Sequence, residues 1–149
     1  APKYFDMIII DAFSSDAVPI HLLTAEALQM YLDRLKDSGL IAVHISNRYL
    51  NLQPNLQALA KVHNLYQTFI ADNNFDPDDP ANYERSQAEY AIFTRDQGIV
   101  NYLGRVSGDT WAPIKDWPDF RPWTDSHSSI FPLLNFKTDQ DKTAAAAEN

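Results

Sequence analysis

The sequence predicts an α/β domain in which a parallel sheet is flanked by helices. Short runs of branched apolar residues alternate with stretches of helical periodicity, an order that produces a parallel sheet. The 149 residues amount to about one ordinary domain. Hydrophobic residues make up 45% of the chain and charged residues 21%, a globular composition. We therefore expect a single sheet of about four to five strands.

The first half of the chain predicts two strands and one helix. Phe5–Asp11 reads F-D-M-I-I-I-D, a continuous apolar run typical of a strand buried on both faces. Thr24 is a suitable N-cap for a helix that runs to about Asp37, where Ser38-Gly39 ends it. One face of this helix carries Leu28, Tyr31, Leu32 and Leu35. Leu40–Ile45 follows as a second buried strand. A strand, a helix and a strand in this order predict a parallel pair.

The second half predicts two helices and two strands, with irregular segments between and after them. Pro54 begins a helix with Leu56, Leu59 and Ala60 inward, and Leu65–Ala71 is a third strand. Glu89–Thr94 is a fourth strand, and Gln97–Val106 is a short helix. The remaining predictions are a polar loop over Asp72–Gln87, an irregular packed segment over Asp109–Asp125, a short strand over Ser129–Phe136 and a flexible tail over 137–149.

Charge and composition narrow the classes of ligand. The net charge of −8 argues against binding through nucleic-acid phosphates and permits a cationic ligand such as a polyamine, although acidic surfaces also serve solubility. Without cysteines there is no thiolate chemistry, and the four histidines show no metal-binding spacing, so no metal is expected. No apolar run reaches the roughly 20 residues of a membrane span, and we expect a cytoplasmic protein.

The loop after the first strand is the main candidate site. Ligands of open α/β sheets bind at the carboxyl ends of strands, and Asp11 lies at such an end. Asp16, Ser14 and Ser15 follow, with His21 further along the loop. Two carboxylates near a cleft hold a protonated amine or accept its proton. The alternative is that Asp11 caps the next turn and Asp16 is solvated.

The end of the second strand supplies further polar groups. Asn47 and Arg48 follow Leu40–Ile45 and reach the same sheet edge as Asp11. They either line the same cleft or make hydrogen bonds within their own loop. His44, inside the strand, is expected to be a hydrogen-bonded core residue.

Three stretches of this sequence resemble spermidine-synthase-like proteins. They are Y-F-D-M-I-I-I-D-A-F-S-S-D-A-V-P-I-H-L-L-T, L-K-D-S-G-L-I-A-V-H-I-S-N and, near the end, W-T-D-S-H-S-S-I-F-P-L-L. The resemblance is closest to the bacterial group in which this domain is fused to a transporter-like region. It implies a Rossmann-like, class I methyltransferase-type fold over residues 1–136, with an N-terminal cofactor-binding half that these residues do not include.

The resemblance also implies roles for individual residues. Members of the family transfer an aminopropyl group from decarboxylated S-adenosylmethionine to putrescine, and an aspartate at the position of Asp11 helps to deprotonate the amine. Asp16 is the implied counterpart of a second aspartate, at a longer spacing than in the family's D-S-S-D-P. The four glycines form no G-x-G-x-G turn, so we expect the chain itself to bind no cofactor, whether S-adenosylmethionine or its decarboxylated form.

Two functions are compatible with this sequence. In the first, the chain is part of an aminopropyltransferase or a related S-adenosylmethionine-dependent enzyme, with Asp11 as the base and Asp16 on the substrate amine. In the second, it is a catalytically incomplete binding or assembly module. Half a sheet exposes a strand edge, and exposed edges favour pairing. We therefore expect a homodimer, or docking to a missing N-terminal half, through Met7–Ile10.

Overall fold

The computed structural model describes residues 2–12, 18–47, 49–71, 88–107, 111–112 and 116–134. Strands and helices alternate through most of this part of the chain, which confirms the α/β class. The elements are β1 Phe5–Ile10, α1 Ala25–Leu32, β2 Leu35–His44, α2 Gln53–Val62, β3 Tyr66–Ala71, β4 Glu89–Thr94, α3 Gln97–Val106 and β5 Trp111–Ala112. Short 3-10 helices lie at Ile20–Leu22 and Phe131–Leu133. The predicted bounds of β4 and α3 are confirmed.

The strands form one mixed sheet in the order β1-β2-β4-β3-β5, and β5 contributes only two residues. The pair β1–β2 is parallel, as predicted. The prediction of a parallel sheet is wrong for the other pairs, because β4 runs antiparallel to both β2 and β3, and β5 runs antiparallel to β3. Parallel neighbours need a crossover connection, usually a helix, and the sequence between β3 and β4 carries no helical pattern. The polar loop predicted at 72–87 lies outside the described residues.

The boundary between α1 and β2 differs from the prediction. Thr24 caps α1 as expected, but the helix ends at Leu32 rather than near Asp37. Strand β2 already begins at Leu35, because the carbonyl of Arg34 accepts hydrogen bonds from the backbone N–H groups of Tyr4 and Phe5. Tertiary pairing with the start of β1 therefore ends the helix early.

The hydrophobic core lies on one face of the sheet, under α1 and α2. Ile10 of β1 pairs with Val43 of β2, which is 1% exposed, and both side chains point into this core. Leu28 and Leu32 of α1 and Leu56 and Leu59 of α2 belong to the same core cluster. Helices α2 and α3 both contact β3 and β4, and α1 contacts β2.

The buried side chain of Asn55 is one of the links between the C-terminal segment 116–134 and the helices. Asn55 of α2 is fully buried; its Nδ2 donates to the carbonyl of Leu23 (3.0 Å), and its Oδ1 accepts from the backbone N–H of Trp123 (2.8 Å). The predicted strand over Ser129–Phe136 is wrong in the part that is described. A 3-10 helix occupies Phe131–Leu133, and only a single bridge joins Leu134 to Leu50. The predicted tail, 137–149, lies outside the described residues.

Strand β1 is exposed on the face opposite the core, which corrects the expectation that it is buried on both faces. Phe5, Met7 and Ile9 are 50%, 51% and 61% exposed. Successive side chains of a strand point to opposite faces, so these three share one surface. No described element covers them. None of the described helices is long and apolar enough to cross a membrane.

Candidate functional site

The carboxyl ends of β1 and β2 bring Asp11 and His44 together. Asp11 follows the last residue of β1, and His44 is the last residue of β2. Because the two strands are parallel, both side chains lie at the same edge of the sheet. The Oδ1 atom of Asp11 lies 2.9 Å from Nδ1 of His44. The Asp11 side chain is 54% exposed and that of His44 is 22% exposed, so a solvent-facing carboxylate rests on a more buried ring.

The His44 ring is held on its other side by Ser46. Its Nε2 atom lies 2.8 Å from Oγ of Ser46. Ser46 Oγ in turn accepts a hydrogen bond from the backbone N–H of Glu89 at the start of β4 (2.7 Å). The ring of Tyr90 stacks on His44 with the centroids 5.0 Å apart. The imidazole is therefore fixed by β1, by the end of β2 and by β4.

The other predicted residues near this edge have different surroundings. Asn47 uses its Oδ1 to accept hydrogen bonds from the backbone N–H groups of Tyr49 (2.9 Å) and Leu50 (2.8 Å). Of the two roles proposed for Asn47, this arrangement favours hydrogen bonding within its own loop. The remaining predicted residues, Ser14, Ser15, Asp16 and Arg48, lie outside the described residues.

His21 lines a groove whose walls do not include Asp11. It lies in the 3-10 helix Ile20–Leu22, where its side chain is exposed. The groove encloses about 420 Å³ and is lined by Ile20, His21, Thr24, Thr124, Asp125 and Ser128. Within the described ranges, no hydrogen bond joins His21 to Asp11.

The walls of this groove are joined by the cap of α1. Thr24 Oγ1 donates to Oδ1 of Asp125 (2.7 Å) and accepts from the backbone N–H of Ala27 (3.2 Å). The backbone N–H of Asp125 donates to Oε2 of Glu26 (3.0 Å). The T-D-S-H part of the C-terminal motif is thus fixed to the first turn of α1.

The hydroxyl of Tyr31 ties the loop before α1 to the helix itself. It donates to the carbonyl oxygen of Leu22 (3.2 Å). Burial raises the pKa of Tyr31 above its ordinary value, because the anionic form is poorly solvated there. The hydroxyl therefore stays protonated and donating at neutral pH.

Sequence reasoning missed the connection from Asp11 through His44 to Ser46. The signal was present, because His44 and Ser46 are two residues apart at a strand end, the spacing that places side chains on one face. The link from Ser46 to Glu89 depends on the antiparallel placement of β4, which the sequence pattern did not predict. The hydrogen bonding expected for His44 is confirmed, but its expected place in the core is wrong, because its side chain is 22% exposed at the edge of the sheet.

Comparisons with protein-family models, with curated proteins and with solved structures find no match to this chain.

Proposed function

We propose that the chain is the C-terminal half of a spermidine-synthase-like, Rossmann-type domain and that it binds a protonated amine at Asp11. The observation that carries the proposal is the position of Asp11, a carboxylate at the carboxyl end of a parallel strand pair with more than half of its side chain in solvent. Ligands of open α/β sheets bind at this end of the strands. A carboxylate there attracts an ammonium group.

The mixed sheet is compatible with half of a doubly wound domain. Mixed sheets are common among doubly wound domains. Here β1, β2 and β3 run in one direction, and β4 runs in the opposite direction between β2 and β3. Net charge supports a cationic ligand, since the chain carries −8. The chemistry proposed for the parent domain is aminopropyl transfer to a polyamine, with methyl transfer as the alternative, in the cytoplasm.

The residues of this chain do not fit the nucleotide cofactor of such a reaction. Backbone approach to the cofactor requires a glycine-rich turn after a strand. Gly39 lies inside β2 and Gly98 inside α3, and neither Gly104 nor Gly108 belongs to a G-x-G-x-G sequence. Amine binding is therefore the activity proposed for these 149 residues, and no transfer step is assigned to them.

Calorimetric titration with putrescine tests this proposal. We expect saturable binding by the wild-type chain and its loss in Asp11→Asn, which keeps the shape of the side chain and removes its charge. Asp119→Asn, another exposed aspartate, is the matched control and is expected to bind like wild type. Equal binding by wild type and Asp11→Asn contradicts the proposal, and so does the absence of binding at millimolar putrescine. Repeating the titration with methylthioadenosine or decarboxylated S-adenosylmethionine present shows whether a nucleotide site is rebuilt.

The exposed face of β1 favours a second candidate function, that of an assembly module. β1 ends the sheet, and a groove of about 460 Å³ follows it, lined by Phe5, Met7 and Ile8 of the strand and by Met30, Tyr31 and Arg34 beside them. Unpaired strand edges next to apolar surface are sites of strand addition. A second copy of the chain is the proposed occupant.

A further inference from the structure

The three side chains Asp11, His44 and Ser46 determine which nitrogen of the imidazole carries the proton. An ionised carboxylate only accepts hydrogen bonds, so Nδ1 of His44 is the donor to Oδ1 of Asp11. A neutral ring then has an unprotonated Nε2. An unprotonated Nε2 needs a hydrogen-bond donor. The Ser46 hydroxyl is that donor, because it has one proton to donate and lies 2.8 Å from Nε2.

Ser46 is itself oriented by the sheet. Its Oγ accepts the backbone N–H of Glu89 at 2.7 Å, which uses one lone pair and directs the hydroxyl proton away from β4. The backbone N–H of Ile45 donates to the carbonyl of Glu89 (2.8 Å), which fixes the spacing of the two strands at this point. The hydrogen-bond chain from Glu89 to Asp11 therefore has a single direction.

The ring plane is fixed by a different contact. Tyr90 stacks on His44 with an interplanar angle of 29°. Because His44 and Tyr90 are also register partners across β2 and β4, the stack is part of the sheet. Rotation of the imidazole away from Asp11 would break the stack and both ring hydrogen bonds.

We propose that His44 is a positioning residue for Asp11, and that Ser46 stabilises the tautomer that the Asp11 carboxylate selects. His44 holds Oδ1, so Oδ2 is presented to the ligand's ammonium group. The hydrogen bond at one ring nitrogen of a histidine determines its tautomer, and this orients the group bound to the other nitrogen. The inference rests on the proposed binding of an amine at Asp11, and it adds the two residues that orient the carboxylate.

The tautomer is measured directly by NMR. Long-range 1H–15N spectra of the histidine ring, recorded at pH 8 so that an ordinary imidazole is neutral, distinguish a protonated from an unprotonated ring nitrogen. We expect His44 in the wild-type chain to carry its proton on Nδ1. In Ser46→Ala the donor to Nε2 is lost, and we expect a population with the proton on Nε2. Ser46→Thr retains the hydroxyl and is expected to keep the wild-type pattern.

Putrescine affinity tests the positioning role. His44→Phe removes a hydrogen bond to the charged Asp11 carboxylate, and we expect it to weaken binding about tenfold. Ser46→Ala removes a hydrogen bond between neutral groups, so we expect a smaller loss of about threefold. His44→Phe keeps a ring against Tyr90, and Ser46→Thr is expected to bind like wild type. Backbone amide spectra of each variant verify that it is folded.

The outcomes separate this inference from the proposed function. If Asp11→Asn abolishes putrescine binding while His44→Phe and Ser46→Ala bind like wild type, the positioning role is overturned and the amine site stands. If the wild-type chain binds no putrescine, the proposed function fails and the positioning of an amine ligand fails with it. The role of Ser46 in stabilising the tautomer is overturned if Ser46→Ala leaves the proton entirely on Nδ1, as in the wild-type chain.

Discussion

At position 39 the backbone is packed so closely that only glycine fits without strain. Gly39 lies in β2 where the register with β1 shifts between Phe5 and Met7. A Cβ added there would lie 2.7 Å from Cγ of Leu35 and 2.9 Å from the backbone oxygen of Asp6. The Leu35 side chain is fully buried, and the oxygen is part of the neighbouring strand, so neither moves easily.

We therefore expect Gly39→Ala to lower the free energy of unfolding by about 1–3 kcal/mol, the cost of overpacking a filled site. Gly98→Ala is the control, because its added Cβ meets only the side-chain end of Asp96 at 3.0 Å. Alanine also has a higher helix propensity than glycine. The gain in propensity and the close contact with Asp96 offset each other to within about 1 kcal/mol. Urea denaturation of the variants measures both. Equal stability of the two variants would contradict the close packing inferred at Gly39.

At the scale of an element, the first turn of α1 is the junction of three parts of the chain. The Thr24 side chain caps the helix and bonds Asp125, and the backbone N–H of Ala25 donates to the carbonyl of Trp123 (2.9 Å). Nε2 of His63 lies 3.1 Å from the carbonyl oxygen of Ala25. Loop, helix and C-terminal segment therefore depend on one capping residue.

Thr24→Ala is expected to destabilise the chain by about 1–2 kcal/mol, because it removes the cap and leaves a buried site without its hydroxyl. Thr24→Ser keeps the hydroxyl and is expected to stay within about 0.5 kcal/mol of wild type. Thermal unfolding followed by circular dichroism gives the comparison. A serine variant as unstable as the alanine variant would assign the effect to the lost methyl group instead.

The boundary between α1 and β2 shows which part of the fold the local sequence predicts and which part it does not. The periodic Leu28, Leu32 and Leu35 predicted one long helix, and all three are buried, but Leu35 reaches the core from β2. A buried leucine fits both structures, so the pattern alone does not distinguish them. What decides is pairing with β1, a contact between residues about thirty positions apart, which local sequence does not encode.

The candidate site was likewise predictable only in part. Its position was predictable, because a carboxylate directly after an apolar strand marks the carboxyl edge of a sheet, and Asp11 is found there. Its partner His44 was assigned to the core because it follows A-V in a buried strand. The hydrogen bonds to Asp11 and Ser46 arise from the register of β1 on β2 and of β4 on β2.

For the whole molecule, the exposed face of β1 is the feature that the isolated chain leaves unexplained. Three large apolar side chains, Phe5, Met7 and Ile9, are half or more exposed on an end strand. Two copies related by a two-fold axis through Met7 would pair their β1 strands antiparallel and align these side chains on one face. In this register Asp6 of one copy would not lie opposite Asp6 of the other. The Asp6 carboxylate also pairs with Lys36 of its own chain at 2.8 Å.

We expect the wild-type chain to be a dimer by light scattering coupled to size-exclusion chromatography, and Met7→Lys to be a monomer. Lysine on an edge strand opposes pairing through its charge. Val62→Lys, which alters an exposed apolar residue at the end of α2, is the control and is expected to remain dimeric. A wild-type monomer would contradict this second candidate function and leave the amine site as the only proposal.

The measurement that tests the amine site most directly is carboxyl-detected NMR during a putrescine titration. The side-chain carboxyl carbon of each aspartate reports on its own surroundings, so binding is assigned to a residue rather than to the chain. We predict saturable shifts of the Asp11 carboxyl and of the His44 ring, with Asp119 unchanged. Small shifts of similar size at all exposed carboxylates, growing linearly with putrescine, would show diffuse ion pairing and contradict an amine site at Asp11.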